Sequence, residues 1–141
     1  MNTFIFAIGF LLVGLGLPAE AKQFKTDCEV VRALRQNGFP ENQLRDWVCL
    51  IRSESSLKTH ATNRNKNGST DYGLFQINSR YWCGQGRVGG DCKVKCESLI
   101  DDNIADDSRC AKLIFKRHGF NAWYGWQSKC RGKALPNISK C

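Results

Sequence analysis

Three prolines, one methionine and two histidines in 141 residues are thin supplies, and each shortage narrows what the chain can be. His60 and His118 are the only imidazoles, and the spacing Cys92-x-x-x-Cys96 has no second pair to match it. Both facts argue against a zinc site. Long apolar runs are scarce as well: residues 4–17 form one, too short to span a bilayer comfortably, and no second follows. An integral membrane protein is therefore not expected. Repeats, low-complexity tracts and linkers are absent, which leaves one modest domain. No basic helix or finger motif is present, so nucleic acid is not an expected partner.

Acidic residues are also in deficit, 13 against 21 lysines and arginines, for a formal charge of +8. Such a surface favours polyanions, among them anionic lipid and the bacterial envelope. Residues 1–21 read as a secretory signal peptide, an apolar run closed by the small-x-small signal Ala19-Glu20-Ala21, although its start lacks Lys or Arg. A retained signal anchor is the alternative. The folded domain is then expected over 22–141, secreted and extracellular. What the chain does have is eight cysteines, an even count that reads as four disulfides in an oxidising compartment. Their connectivity is open at this point.

Local signals place helices at both ends and strands between. Thr26 and Glu29 form a capping box ahead of Val30, Val31, Ala33 and Leu34, and Gly38 and Pro40 stop that helix. A second helix is expected from about residue 41 to 55. Turn residues and alternating strand formers occupy 59–90, with Asn67-Gly68 as a hairpin signal. Helical periodicity returns near Leu99 and at Cys110, Leu113, Ile114 and Arg117, with a short helical piece after Asn121. The expected class is α+β: two lobes meeting at a groove.

Glu54 is the residue out of place. Leu44, Trp47, Val48 and Ile51 step along one helical face, and the next step lands on this carboxyl group. Asp71 follows the turn Asn67-Gly68-Ser69-Thr70 on a polar strand. Desolvation disfavours the charged form of the first, while water and hydrogen bonds favour it for the second. Carboxyls split in this way can serve as proton donor and anionic partner at one bond. The bland alternative is that Glu54 marks where the helix emerges into water.

Glu54-Ser55-Ser56, then Ala61-Thr62-Asn63-Arg64-Asn65, then the run Gly68-Ser69-Thr70-Asp71-Tyr72-Gly73-Leu74-Phe75-Gln76-Ile77-Asn78-Ser79-Arg80-Tyr81-Trp82-Cys83 closely resemble the chicken-type (c-type) lysozymes. Cys110-Ala111-Lys112 and Asn121-Ala122-Trp123 extend the match over nearly everything after residue 21, and the C-terminal third is most like the insect branch. That family is itself the reference case for split carboxylates in glycoside hydrolysis. The resemblance implies a two-lobed fold with a small antiparallel β lobe and the pairs Cys28–Cys141, Cys49–Cys130, Cys83–Cys96 and Cys92–Cys110. It implies a secreted bacteriolytic hydrolase cutting β-1,4 bonds between N-acetylmuramic acid and N-acetylglucosamine in peptidoglycan. Glu54 would be acid and base, and Asp71 nucleophile or stabiliser. Asn65, Gln76, Asn78, Tyr81, Trp82, Ala122 and Trp123 would contact sugar, with Trp47 and Trp126 left to the core. Residue 81 is Tyr where many members have Trp. One residue fewer stands between Cys110 and Trp123 than in the avian form, so Arg117 and His118 occupy the region of an acidic cleft residue.

No cofactor is required for that reaction. Asp101, Asp106 and Asp107, with backbone carbonyls of Ser98 and Asn103, resemble the calcium loop of α-lactalbumins and calcium-binding lysozymes. The competing reading is that Asp106 and Asp107 favour a helix N-terminus. Asn67 and Asn137 stand in glycosylation sequons, the first expected to be mostly unmodified because it lies close to Asp71. The expected partners are peptidoglycan and anionic bacterial surfaces, and the expected state is a monomer. A non-catalytic, calcium-bound or wall-binding relative is the alternative function, and a cationic scaffold that kills without cleavage is a third.

Overall fold

The structure is a computed structural model that describes residues 23–141; the leader expected over 1–21 lies outside the described residues. Among the described residues, four helices, α1 (Asp27–Gln36), α2 (Leu44–Ser55), α3 (Ala105–His118) and α4 (Tyr124–Lys129), are joined by a three-stranded sheet of β1 (Thr62–Arg64), β2 (Thr70–Tyr72) and β3 (Ile77–Asn78). Short 3-10 turns at Glu41–Gln43, Cys96–Ile100 and Gly119–Ala122 lead into or precede the helices. This is the expected α+β architecture.

At the start of α1, Thr26 Oγ accepts from the Glu29 N–H, while Glu29 reaches back to the N–H of Lys25 rather than to that of the cap itself. The helix ends where Gly38 takes a positive φ of 76°, and the Phe39 N–H closes on the Leu34 carbonyl. The second helix starts later than its pattern suggested, because the turn after Pro40 winds as 3-10 before α2 begins.

Helix α2 is the axle of the molecule: Leu44, Trp47, Val48, Leu50 and Ile51 are completely buried. Trp47 carries the helical lobe's aromatic core, with Phe39, Phe75, Phe115, Phe120 and Trp123 packed round its indole at 4.9–5.8 Å between centroids. Trp126 is only partly buried; it stacks on Phe120 at 5.2 Å and donates its ring N–H to Asp46.

The sheet is antiparallel in the order β1-β2-β3. Asp71 stands at its centre, opposite Asn63 on one side and Asn78 on the other. Fewer residues of 59–90 are strand than their composition suggests. After β3 the chain runs through turns held by the disulfides Cys83–Cys96 and Cys92–Cys110, while Cys28–Cys141 and Cys49–Cys130 tie the helical ends together. These are the four pairs that the resemblance implies. Disulfides of this number suit an oxidising environment. Among the described residues, no helix is long and apolar enough to cross a membrane.

Candidate active site

Between the lobes lies a cleft of 610 Å³, and Glu54 and Asp71 both line it. Glu54 sits in the last turn of α2, half-buried. Its Oε1 accepts from the Gly125 N–H at 2.8 Å, where α4 begins. Burial pushes its carboxyl above the ordinary glutamate range, the Gly125 N–H opposes that, and the negative charge of Asp71 adds to the rise. Proton retention is what a general acid needs at neutral pH.

Trp123, 5 % exposed, forms part of the same cleft. Its ring N–H donates to the Phe75 carbonyl at 2.7 Å. That bond fixes the indole between the aromatic core and the cleft, satisfying its one polar atom.

Asp71 has a different setting. Asn78 Nδ2 donates to its Oδ1 at 2.8 Å and is also 3.0 Å from Ser69 Oγ. Asn78 Oδ1 in turn accepts from the Arg80 N–H, which orients the amide. Asn65 Nδ2 reaches Ser69 Oγ at 3.2 Å, and Asn67 Oδ1 accepts from both the N–H and the hydroxyl of Ser69. The polar strand thus holds its carboxylate in a web of amides anchored on Ser69. Gln76 also lines the cleft, yet its side chain is spent on the protein: it donates to the Ala61 and Gly73 carbonyls and accepts from Asn63. Its backbone φ of 51° is left-handed.

Tyr81, Trp82 and Ala122 line the same cleft. Tyr81 is 58 % exposed, with the Arg80 guanidinium 5.3 Å from its ring centre. Arg117 pairs with Asp91 and lies over Trp82, while His118 meets the same indole edge-on at 5.9 Å. The residues that occupy the shortened segment therefore brace an aromatic wall. Flat, exposed rings facing amides and carboxyls can grip a sugar chain through its apolar faces and hydroxyls.

Tyr124 and Gly125 were missed by sequence reasoning. Tyr124 is 81 % exposed on the cleft, directly after Trp123; its adjacency was a usable signal, its exposure was not visible. Gly125 leaves room for the acid: a Cβ there would lie 2.7 Å from Glu54 Oε1. No sequence pattern reports a contact between residues 54 and 125.

Away from the cleft, carboxylate oxygens of Asp101, Asp106 and Asp107 lie within 4.8 Å of one another. Asp107 is 1 % exposed and neither of its oxygens has a hydrogen-bond donor. Burial first, then the neighbouring Asp106 and Asp101, pushes its carboxyl up to about 10. Asp106 could bond to it only by sharing a proton. Asp101 is raised by burial and by Asp106, against the Asn103 N–H. The helix-terminus reading fits Asp106, whose Oδ1 accepts from the Asp107 N–H in the first turn of α3. It leaves the buried oxygens of Asp107 unexplained, and a hard cation would satisfy them.

The sequence model of the C-type lysozyme/alpha-lactalbumin family matches residues 22–141. The chain is 59 % identical to "Lysozyme c-1" of Anopheles gambiae over 123 residues, 87 % of each chain. It is 56 % identical to "Lysozyme" of Bombyx mori over 94 % of this chain and 96 % of that one. Against "Lysozyme" of Galleria mellonella the identity is 54 %, over 82 % and 98 %. With that extent of match, on a fold that sets a half-buried glutamate and an amide-bound aspartate in one cleft, the chain belongs to the C-type lysozyme/alpha-lactalbumin family.

Proposed function

We propose that Glu54 and Asp71 hydrolyse the β-1,4 bond from N-acetylmuramic acid to N-acetylglucosamine in peptidoglycan, with retention at the sugar carbon. The chain is a c-type lysozyme, a bacteriolytic glycosidase. One observation carries the assignment of roles: two carboxyls share a cleft, and burial raises the pKa of Glu54 above the ordinary glutamate range. Glu54 delivers that proton to the departing oxygen, and the bond to the anomeric carbon breaks. Asp71, steadied by Asn78, meets the developing positive charge and closes on the carbon. Glu54, now ionised, takes a proton from water, and the hydroxide equivalent releases the sugar from Asp71. Tyr81, Trp82, Ala122 and Trp123 supply faces for the sugar rings, with Asn65 and Asn78 close to the reacting sugar; Gln76 shapes the floor through its bonds to the sheet.

Family membership alone does not imply catalysis, since the family's name also covers the α-lactalbumins. Retention of both carboxyls with their supporting N–H donors favours the hydrolase over a silent relative. Secretion is supported by the leader expected over 1–21 and by the four disulfides, and a monomer is the simplest state for a cleft complete within one chain.

The three aspartates fit a structural calcium. Asp101, Asp106 and Asp107 would hold it with carbonyls of Ser98 and Asn103, and it would offset the mutual repulsion of the three carboxyls, of which only Asp107 is buried, without entering the chemistry.

The test is clearing of a bacterial wall suspension. Glu54→Gln should lower the rate at least a hundredfold, and Asp71→Asn comparably, with circular dichroism and melting unchanged. Clearing or killing by Glu54→Gln at the wild-type rate would sink the catalytic reading and favour a cationic scaffold that works without cleavage.

A further inference from the structure

Past Glu54, on the side away from Trp82, the fold builds a second hollow of 480 Å³ that includes Ser56, Lys58, His60 and Thr62 in its lining. Glu54 lines both hollows, whereas Asp71, Tyr81 and Trp82 line only the first. An acid that protonates the departing oxygen stands between the sugar that stays and the sugar that leaves. With the retained sugar over Asp71, the departing half of the glycan runs past Glu54 into this second hollow.

The chain that forms its rim is held in an unusual path. Ser56 and Leu57, successive non-glycine residues straight after α2, take left-handed φ values of 53° and 66°. Strained backbone of this kind persists where its surroundings enforce it. Here the Leu57 carbonyl accepts from Phe24, and the Lys58 N–H donates to Ser55. The reversal brings Lys58 and His60 to the rim, both exposed. Among the described residues, neither has a carboxylate within ion-pair distance. Among the described residues, Glu54 is the only carboxyl in the lining, so these residues make the hollow positive whenever the acid carries its proton.

Resting on the hydrolytic reading above, we propose that Lys58, with His60 beside it, selects substrate by the charge of the departing half. Alternate sugars of peptidoglycan bear a lactyl ether that ends in a carboxylate or in a peptide with carboxylates of its own. Chains of N-acetylglucosamine alone carry no such charge. The first sugar released is the neutral one, and its successor bears the acid, one ring farther from Glu54 along the rim. Lys58 is the fixed cation there, and His60 adds a hydrogen-bond donor.

The experiment compares kcat/KM on two soluble substrates, a peptide-bearing peptidoglycan oligosaccharide and an N-acetylglucosamine hexamer, at low salt. The ratio of the two values is the readout. Lys58→Gln should lower the ratio about fivefold, as expected for loss of one exposed charge pair, and Lys58→Arg should keep it near wild type. His60→Ala, which removes the donor, should lower it about twofold, and added salt should shrink the Lys58→Gln effect. Lys140→Gln, an exposed charge that lines neither hollow, should leave the ratio alone. An unchanged ratio in Lys58→Gln overturns the proposal, as does an equal fall in Lys140→Gln, which would assign the preference to net charge. A wild type that cuts neither soluble substrate would instead remove the hydrolytic reading on which the proposal stands.

Discussion

Asp107→Asn should stabilise the protein without calcium and abolish its response to calcium. An ordinary aspartate ionises near 3.8, whereas burial raises Asp107 to about 10. The folded chain therefore holds a proton at pH 7 that the unfolded chain releases. Stability falls as pH rises through the window from about 4 to about 10, because the unfolded state gains by ionising and the folded state does not. At pH 7 roughly three pH units of that window have been crossed, equivalent to about 4 kcal/mol at 1.36 kcal/mol per unit. Replacing the carboxyl by an amide removes the linkage, so metal-free Asp107→Asn should melt on the order of 10 °C above metal-free wild type at pH 7. Calcium competes with the proton for the same oxygens, so it should raise the wild-type midpoint more at pH 8 than at pH 5, and should not raise that of Asp107→Asn. Differential scanning calorimetry of both proteins, with chelator and with millimolar calcium, at pH 5, 7 and 8 reads every one of these shifts. No calcium shift in wild type at pH 8 refutes the cation site, and a metal-free variant that melts no higher than wild type refutes the linkage argument.

Gly125→Val should reduce kcat by about ten- to a hundredfold with a smaller change in KM, because the added side chain displaces the Glu54 carboxyl while the sugar wall stays intact; steady-state kinetics on a soluble oligosaccharide would check it, and an unaltered kcat would count against the Gly125 contact. The charge of Asp71 contributes to the raised pKa of Glu54, so Asp71→Asn should move the Glu54 midpoint down, which titration followed by carboxyl NMR can measure; an upward movement would contradict the shared cleft. Replacing Cys28 and Cys141 by Ala opens a link across 113 residues and should cost about 5 kcal/mol in urea unfolding, against about 3 for the Cys83–Cys96 link across 13.

Periodic features make much of the fold legible in the sequence. The stripe through Leu44, Trp47, Val48 and Ile51 is a wholly buried helix face, since local repeats and burial arise from the same geometry. Thr26 and Gly38 bound α1 because caps are made within a few residues of one another. The stretch from 79 to 95 was less readable. Its strand-forming residues sit between disulfides at 83–96 and 92–110, and covalent closure of short loops set its path in place of the ladder that composition favours.

The same limit explains the site. Glu54, Asp71 and Asp107 are three carboxyls, and the chain alone marks each as unusual by its neighbours. What separates their chemistry is the donor that each one meets across the fold. Glu54 receives one N–H from Gly125, 71 positions away, which holds it in place but does not undo its burial. Asp71 receives the amide of Asn78 across a two-strand ladder, a contact that β pairing makes local in space and nearly local in sequence. Asp107 receives no donor at all. A carboxyl's role therefore follows from its burial together with the N–H groups within reach, and a donor becomes legible from sequence only when it lies in the same hairpin or turn. For Asp71 it does. For Glu54 the donor comes from a remote segment, and for Asp107 the deciding factor is burial beside the neighbouring Asp106 and Asp101, so the chain could name a proton for one and a cation for the other but not the surroundings that act on them.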